Sequence, residues 1–334
     1  MKRNKLLGGL LGLLLVTSGC NSQPANIQFP QDSLPIRIQR FDEALLHLIE
    51  TNDTSLEKDL LATYPAMLDI TGKGILNLQS PAVPGFFDRI INYYSEPTLK
   101  QLYEDAVGYY KEVTDIEGQL GRGFAFLKAN FPTMQVPAVY MHVSGFSQNV
   151  LAGDSLLSLS IDRYLGADYP LYRQFFQDYQ RIKMQRTLAA SDYLTGWLMS
   201  EFPFAGNENV LLERMVYEGK IKYIVSLALP DVKPYQLMGY TEVSYAWCEE
   251  HASTLWSTII QRKHLYTPDR LTTEKYFQEA PCTFLSDETP GNIGTWIGWQ
   301  IVNRYMQETK ASLPALMQQN NAQELLTLSK YKPE

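Results

Sequence analysis

The chain has 334 residues, 45% of them hydrophobic and 21 of them tyrosine, enough for a substantial core in one large domain or two closely packed ones. It carries 36 acidic against 29 basic residues, and removing residues 1–20 takes away three basic and no acidic side chains, leaving 26 − 36 = −10. A balance this acidic repels phosphate backbones and anionic headgroups, which excludes nucleic acid as a class of partner.

Residues 1–20 read as a secretory signal: Lys2, Arg3 and Lys5 precede an apolar run from Leu6 to Val16 that is too short to span a membrane. Thr17-Ser18-Gly19-Cys20, followed at once by polar Asn21-Ser22-Gln23-Pro24, resembles the bacterial lipobox, whose cysteine is diacylated and becomes the new N-terminus. The alternative is an ordinary signal peptide with an incidental Cys20. Each buried methylene of an acyl chain contributes about 0.8 kcal/mol, so a lipidated Cys20 would hold the mature protein on a membrane without spanning it. Asn21 to Pro35 is polar and proline-punctuated, which predicts a flexible tether, and residues 36–334 are expected to form one compact domain.

Ile36-Arg37-Ile38 alternates like a short strand, and Phe41, Leu45, Leu48 and Ile49 then fall at helical spacing. Helical patterns continue over 55–64, 85–94, 98–111 and 115–130, with breaks at Pro65, Pro81, Pro84, Pro97 and Pro132. Leu120, Phe124 and Leu127 mark the core face of the 115–130 helix, which makes Gly118, Gly121 and Gly123 helical residues and not a phosphate-binding loop. In the middle of the chain the period changes to two. Val139, Met141 and Val143, then Leu157, Leu159 and Ile161, predict two half-buried strands joined by the turn-rich stretch 144–155. Helices resume over 171–184, 189–200 and 210–229, stop at Pro230 and Pro234, and return over 240–262, 293–306 and 323–329. The fold class is α+β, dominated by helices, with a small β-sheet.

Four segments carry a resemblance: Ile38-Gln39-Arg40-Phe41-Asp42, Leu159 to Asp168, Tyr217-Glu218-Gly219-Lys220, and Pro290 to Met306. Together, and in this order, they are similar to the gliding-motility lipoprotein family GldB of the Bacteroidetes and its relatives among predicted zinc-dependent peptidases. The resemblance implies a zincin-like metallopeptidase fold with a degenerate metal motif and a small sheet beside the motif helix. It also implies a lipid-anchored protein on the periplasmic face of the envelope, whose partners are the membrane and other proteins of motility and secretion. Where a zinc peptidase would carry H-E-x-x-H on a helix, this chain has Tyr217 and Ile221 at the two imidazole positions, and only the base position, Glu218, is kept.

On a helix Glu218 has Arg214 and Lys222 one turn away, so the expected role is ion pairing that lowers its pKa. A degenerate ligand pocket and a metal-dependent base are the alternatives. His47, His142, His251 and His264 are the only histidines, and no two stand at ligand spacing, although His142 and His251 could meet Glu249 or Glu250 in space. No metal and no cofactor are expected, and no G-x-S-x-G nucleophile motif occurs. Gly294 and Gly298, one turn apart, suit close helix packing, or with Trp296 and Trp299 they could floor a sugar- or peptide-binding cleft. Cys248 and Cys282 are either a disulfide or two buried thiols. The expected function is non-catalytic, through protein contacts. A membrane-anchored periplasmic peptidase or cell-wall hydrolase, and a ligand-binding lipoprotein with an aromatic cleft, are the competing classes.

Overall fold

The computed structural model describes residues 26–77 and 80–334. The signal segment 1–20, with Cys20, lies outside the described residues.

The first half of the chain supplies β1 (Ile38–Gln39), α1 (Phe41–Thr51), α2 (Ser55–Thr63), α3 (Pro65–Gly74), α4 (Phe86–Tyr94), α5 (Pro97–Tyr109) and α6 (Thr114–Asn130). Then come β2 (Ala138–His142), β3 (Val150–Gly153) and β4 (Leu156–Ser160), followed by the single turns α7 (Tyr172–Phe175) and α8 (Asp178–Arg181). The second half is helical: α9 (Ala189–Glu201), α10 (Leu211–Ala228), α11 (Pro234–Met238), α12 (Glu242–Glu250), α13 (Ala252–Gln261), α14 (Arg270–Phe277), α15 (Ile293–Thr309), α16 (Leu313–Gln318) and α17 (Ala322–Ser329). The architecture is α+β and helix-dominated, as the periodicities predicted.

The sheet has the order β1-β2-β4-β3, with β1 and β4 parallel to β2 and β3 antiparallel to β4. The two strands read from the sequence are therefore parallel neighbours. The stretch between them is more than a turn, because it holds β3, which pairs back on β4. Nor is β4 half-buried: every residue from Leu156 to Ser160 is buried, the two serines included. Alternation of polar and apolar residues failed as a guide because both faces of the strand are covered. On one face Gly196 of α9 gives room to Val150, and on the other Leu151 lies beside Gly74 while Tyr140 meets Tyr64 edge-on at 6.3 Å.

The break expected at Pro65 holds, since α2 ends at Thr63, but two expected helices are corrected and one is added. The added one is α3, which Pro65 opens at its first turn, where a missing N–H costs nothing and φ is already suitable. The helix expected over 171–184 is broken into α7 and α8 because Phe176 and Gln177 are extended, which lets the Phe176 ring pack on Phe146 at 5.2 Å. The 240–262 helix is interrupted at His251, whose ring stacks on Trp247 at 4.2 Å.

The expected tether is docked from residue 26 onward. Ile27 is buried, the Gln28 N–H and C=O both bond the Asn130 side chain, and Phe29 packs on Phe126. Further on, Leu34 N–H donates to Gly121 O and Ile38 N–H to the Glu117 carboxylate. A polar composition hid this because the segment docks along α6 through its backbone groups, which leave no residue pattern, and through isolated apolar side chains such as Ile27 and Phe29.

Candidate functional site

The motif helix α10 is placed by a glycine crossing. It makes the most extensive helix–helix contact among the described residues, with α15. A Cβ on Gly219 would lie 2.3 Å from the Gly298 carbonyl, and one on Gly298 would lie 1.7 Å from Met215 O. Gly298 therefore serves the packing of α15 on α10. Gly294 turns elsewhere, toward the Phe277 ring and the Tyr276 carbonyl. Trp296 is buried with its ring 6.5 Å from Tyr245, and Trp299 is only partly buried. The two glycines are thus taken up in helix packing, while Trp296 lines a cleft of about 390 Å³ with Glu249, Gln300 and Arg304.

Tyr217, at the first imidazole position, donates its hydroxyl to Phe202 O at 3.0 Å and leans on the Phe204 ring at 5.0 Å. Ile221, at the second, is a core residue. Glu218 is half-buried, and burial raises its carboxyl above the ordinary glutamate value, offset in part by the Lys222 and Arg214 charges. The expected ion pairs are absent among the described residues, since Arg214 lies over the Phe277 ring at 4.1 Å. The lowered pKa read from helical spacing is thus reversed: desolvation outweighs the two cations at their actual positions. A carboxylate whose folded pKa is raised loses stability as pH rises through that pKa. Glu218→Gln is therefore expected to leave stability at pH 7 unchanged or raise it, by less than about 1 kcal/mol, in urea unfolding. A clear destabilisation would show that the charge makes a specific contact.

The side chain missed by residue-by-residue reading is Lys220. It is 5% exposed, and its Nζ donates to Gln319 O at 2.6 Å. Burial pushes its ammonium down to about 8. Lys220 opens on a cleft of about 270 Å³ between α10, the 202–206 loop and the segment after α16. The available signal was its placement: Val216 and Ile224, one turn on either side, belong to the core stripe, so a lysine there interrupts an apolar face.

A second set of polar residues sits at the carboxyl ends of the parallel strands. After β1, Asp42 is fully buried and takes both the Nε and Nη2 of Arg40. After β2 and β4, the buried Asp162 carboxylate accepts from Ser144 N at 3.1 Å, Phe146 N at 2.7 Å and the Ser160 hydroxyl. These bonds hold the loop in which Gly145 and Phe146 both have left-handed φ, 66° and 68°. His142 is buried against Ser158 Oγ at 2.7 Å, its Nε2 has no partner among the described residues, and burial lowers its pKa to about 3.

His142 is thus enclosed in the sheet while His251 stacks on Trp247, so they do not assemble with Glu249 or Glu250. Among the described residues no three His, Cys, Asp or Glu side chains gather as a metal site would require. Cys248 and Cys282 are free, buried thiols and not a disulfide; burial pushes both up to about 12, and Cys282 Sγ donates to Lys275 O.

A helix-dominated α+β chain whose polar segments cluster at strand ends and along one helix crossing defines the class. The sequence model of the family described as "Gliding motility protein GldB" matches residues 22–333, and the chain belongs to that family. It is thereby a gliding-motility-associated lipoprotein by family. No curated protein and no solved structure matches it. No helix among the described residues is long and apolar enough to cross a membrane.

Proposed function

We propose that this chain is a non-catalytic envelope lipoprotein, anchored through Cys20 on the periplasmic face and acting through contacts with other motility or secretion proteins. The observation that carries this reading is the use of the motif helix for packing. Tyr217 spends its hydroxyl on Phe202 O, Ile221 lies in the core, and Gly219 is closed against Gly298. The scaffold is then a degenerate zincin-like one, in which the helix that would carry a metal site has become a structural strut. From Cys20 to Asn26 the chain can reach at most roughly 20 Å, at about 3.5 Å per residue, so the docking of residues 26–35 would keep the domain close to the bilayer.

Two measurements test the reading. Cys20→Ala should move the protein from the membrane fraction to the soluble one; unchanged fractionation, with no acyl mass on the wild-type N-terminal peptide, would reject the anchor. A deletion strain carrying Glu218→Gln should keep its wild-type motility or secretion phenotype. A null phenotype for this folded variant, together with stoichiometric zinc in the purified protein, would establish a metal-dependent hydrolase instead.

A further inference from the structure

We propose that the cleft beside Lys220 binds a small zwitterion with an apolar body, the chemistry of a free α-amino acid with an aromatic side chain. The inference rests on charge and shape and is independent of the anchoring of the chain.

Lys220 carries three N–H donors, of which Gln319 O takes one. Among the described residues no carboxylate is paired with it, and desolvation is the sole influence on its pKa. At about 8 the amine remains mostly charged at neutral pH, so an uncompensated cation sits 95% out of water at the wall of a cleft. A buried charge of this kind is stabilised by an anion that enters with donors already in place.

The rest of the lining decides what the anion is attached to. Phe204 and Tyr217 supply an aromatic wall, tilted against each other at 5.0 Å, and Met317 faces the same space. Glu201 is exposed, and Glu213 is half-buried with its Oε2 on Asn207 N–H. Two carboxylates that line the same cleft without pairing with the Lys220 ammonium disfavour a simple anion and suit a ligand carrying both signs. A volume of 270 Å³ is about nine times the share of one liquid water, ~30 Å³, which fits a body of on the order of ten non-hydrogen atoms. In this arrangement the ligand carboxylate takes the two remaining Lys220 donors, its ammonium faces Glu201 and Glu213, and its side chain lies on Phe204 and Tyr217.

The competing role for Lys220 is purely structural, since Gln319 closes the C-terminal end of α16 and a cation there favours the terminal carbonyls. Calorimetric titration of the detergent-solubilised full-length protein separates the two. Phenylalanine should bind, while 3-phenylpropionate, which lacks the ammonium, and phenethylamine, which lacks the carboxylate, should each bind at least tenfold more weakly. Lys220→Gln keeps a donor for Gln319 O and should also weaken phenylalanine tenfold or more. Phe204→Ala leaves the Lys220–Gln319 bond intact and should weaken it several-fold, so it decides the matter if Lys220→Gln fails to fold. No heat with millimolar phenylalanine, equal binding of phenethylamine, or unchanged affinity in the folded variants would leave Lys220 as the cap of α16 alone and overturn the proposal.

Discussion

Replacing Gly298 by alanine should destabilise the protein by roughly 3–5 kcal/mol, above the 1–3 kcal/mol usual for overpacking. The added methyl would stand 1.7 Å from Met215 O and 2.5 Å from Met215 C. These are backbone atoms, so no rotamer change relieves the clash, and α15 must move away from α10 along their whole contact. Helix propensity pushes the other way by only about 1 kcal/mol, which is too little to change the sign. Gly108 in α5 supplies the comparison, because a Cβ there would meet nothing within 4 Å. Gly108→Ala should therefore stabilise by about 0.5–1 kcal/mol. Urea unfolding of both variants checks the pair, and a Gly298→Ala midpoint equal to that of the wild type would mean that the crossing is looser than the structure shows.

Acid should unfold this protein partly through His142. Its pKa falls from an ordinary 6.5 to about 3 because the ring is buried, with Ser158 Oγ on Nδ1 and, among the described residues, no partner on Nε2. The unfolded chain therefore binds a proton between those values that the folded chain refuses. The stability contribution is complete above pH 6.5 and is lost as pH falls toward 3, by about 1.4 kcal/mol per pH unit and up to roughly 5 kcal/mol in all. Asp42, Asp162 and Glu218 oppose this trend, since burial raises each of them and a raised carboxyl favours the fold as pH falls. The difference between wild type and His142→Asn isolates the histidine. Urea midpoints taken from pH 7.5 to 4.5 should diverge in slope below 6.5, with the wild type steeper. Parallel profiles would show that a proton is accommodated on Nε2 without cost.

The two experiments bear on different levels of what can be read from residues alone. The spacing of Gly294 and Gly298 already made a close helix approach one of two readings, but which helix each glycine meets, α10 for Gly298 and the end of α14 for Gly294, comes from the structure. The polar sites were not legible in the same way. Asp162 and His142 look like ordinary strand-end and strand residues, and nothing local says that a carboxylate will accept two backbone N–H groups sixteen and eighteen residues away. Glu218 was misread for a related reason. Helical spacing brought two cations near, but it could not weigh them against the water removed by neighbouring helices.

By itself the sequence determined the kinds of elements and their order. It placed helices at α1, α6, α9, α10 and α15, two strands around residues 139 and 157, and an α+β class, because hydrophobic period is a property of a dozen consecutive residues. It also carried the motif in which Tyr217 and Ile221 stand where imidazoles would be needed. Only the tertiary structure decided that β3 pairs back to make β4 central and wholly buried, that residues 26–35 lie along α6, that Cys248 and Cys282 are free buried thiols, and that Lys220 is enclosed beside an aromatic cleft. Each of these depends on which distant segment removes water from a group or supplies its hydrogen-bond partner. Burial and polar satisfaction are set by segments far apart in the chain, and no local pattern of residues encodes them.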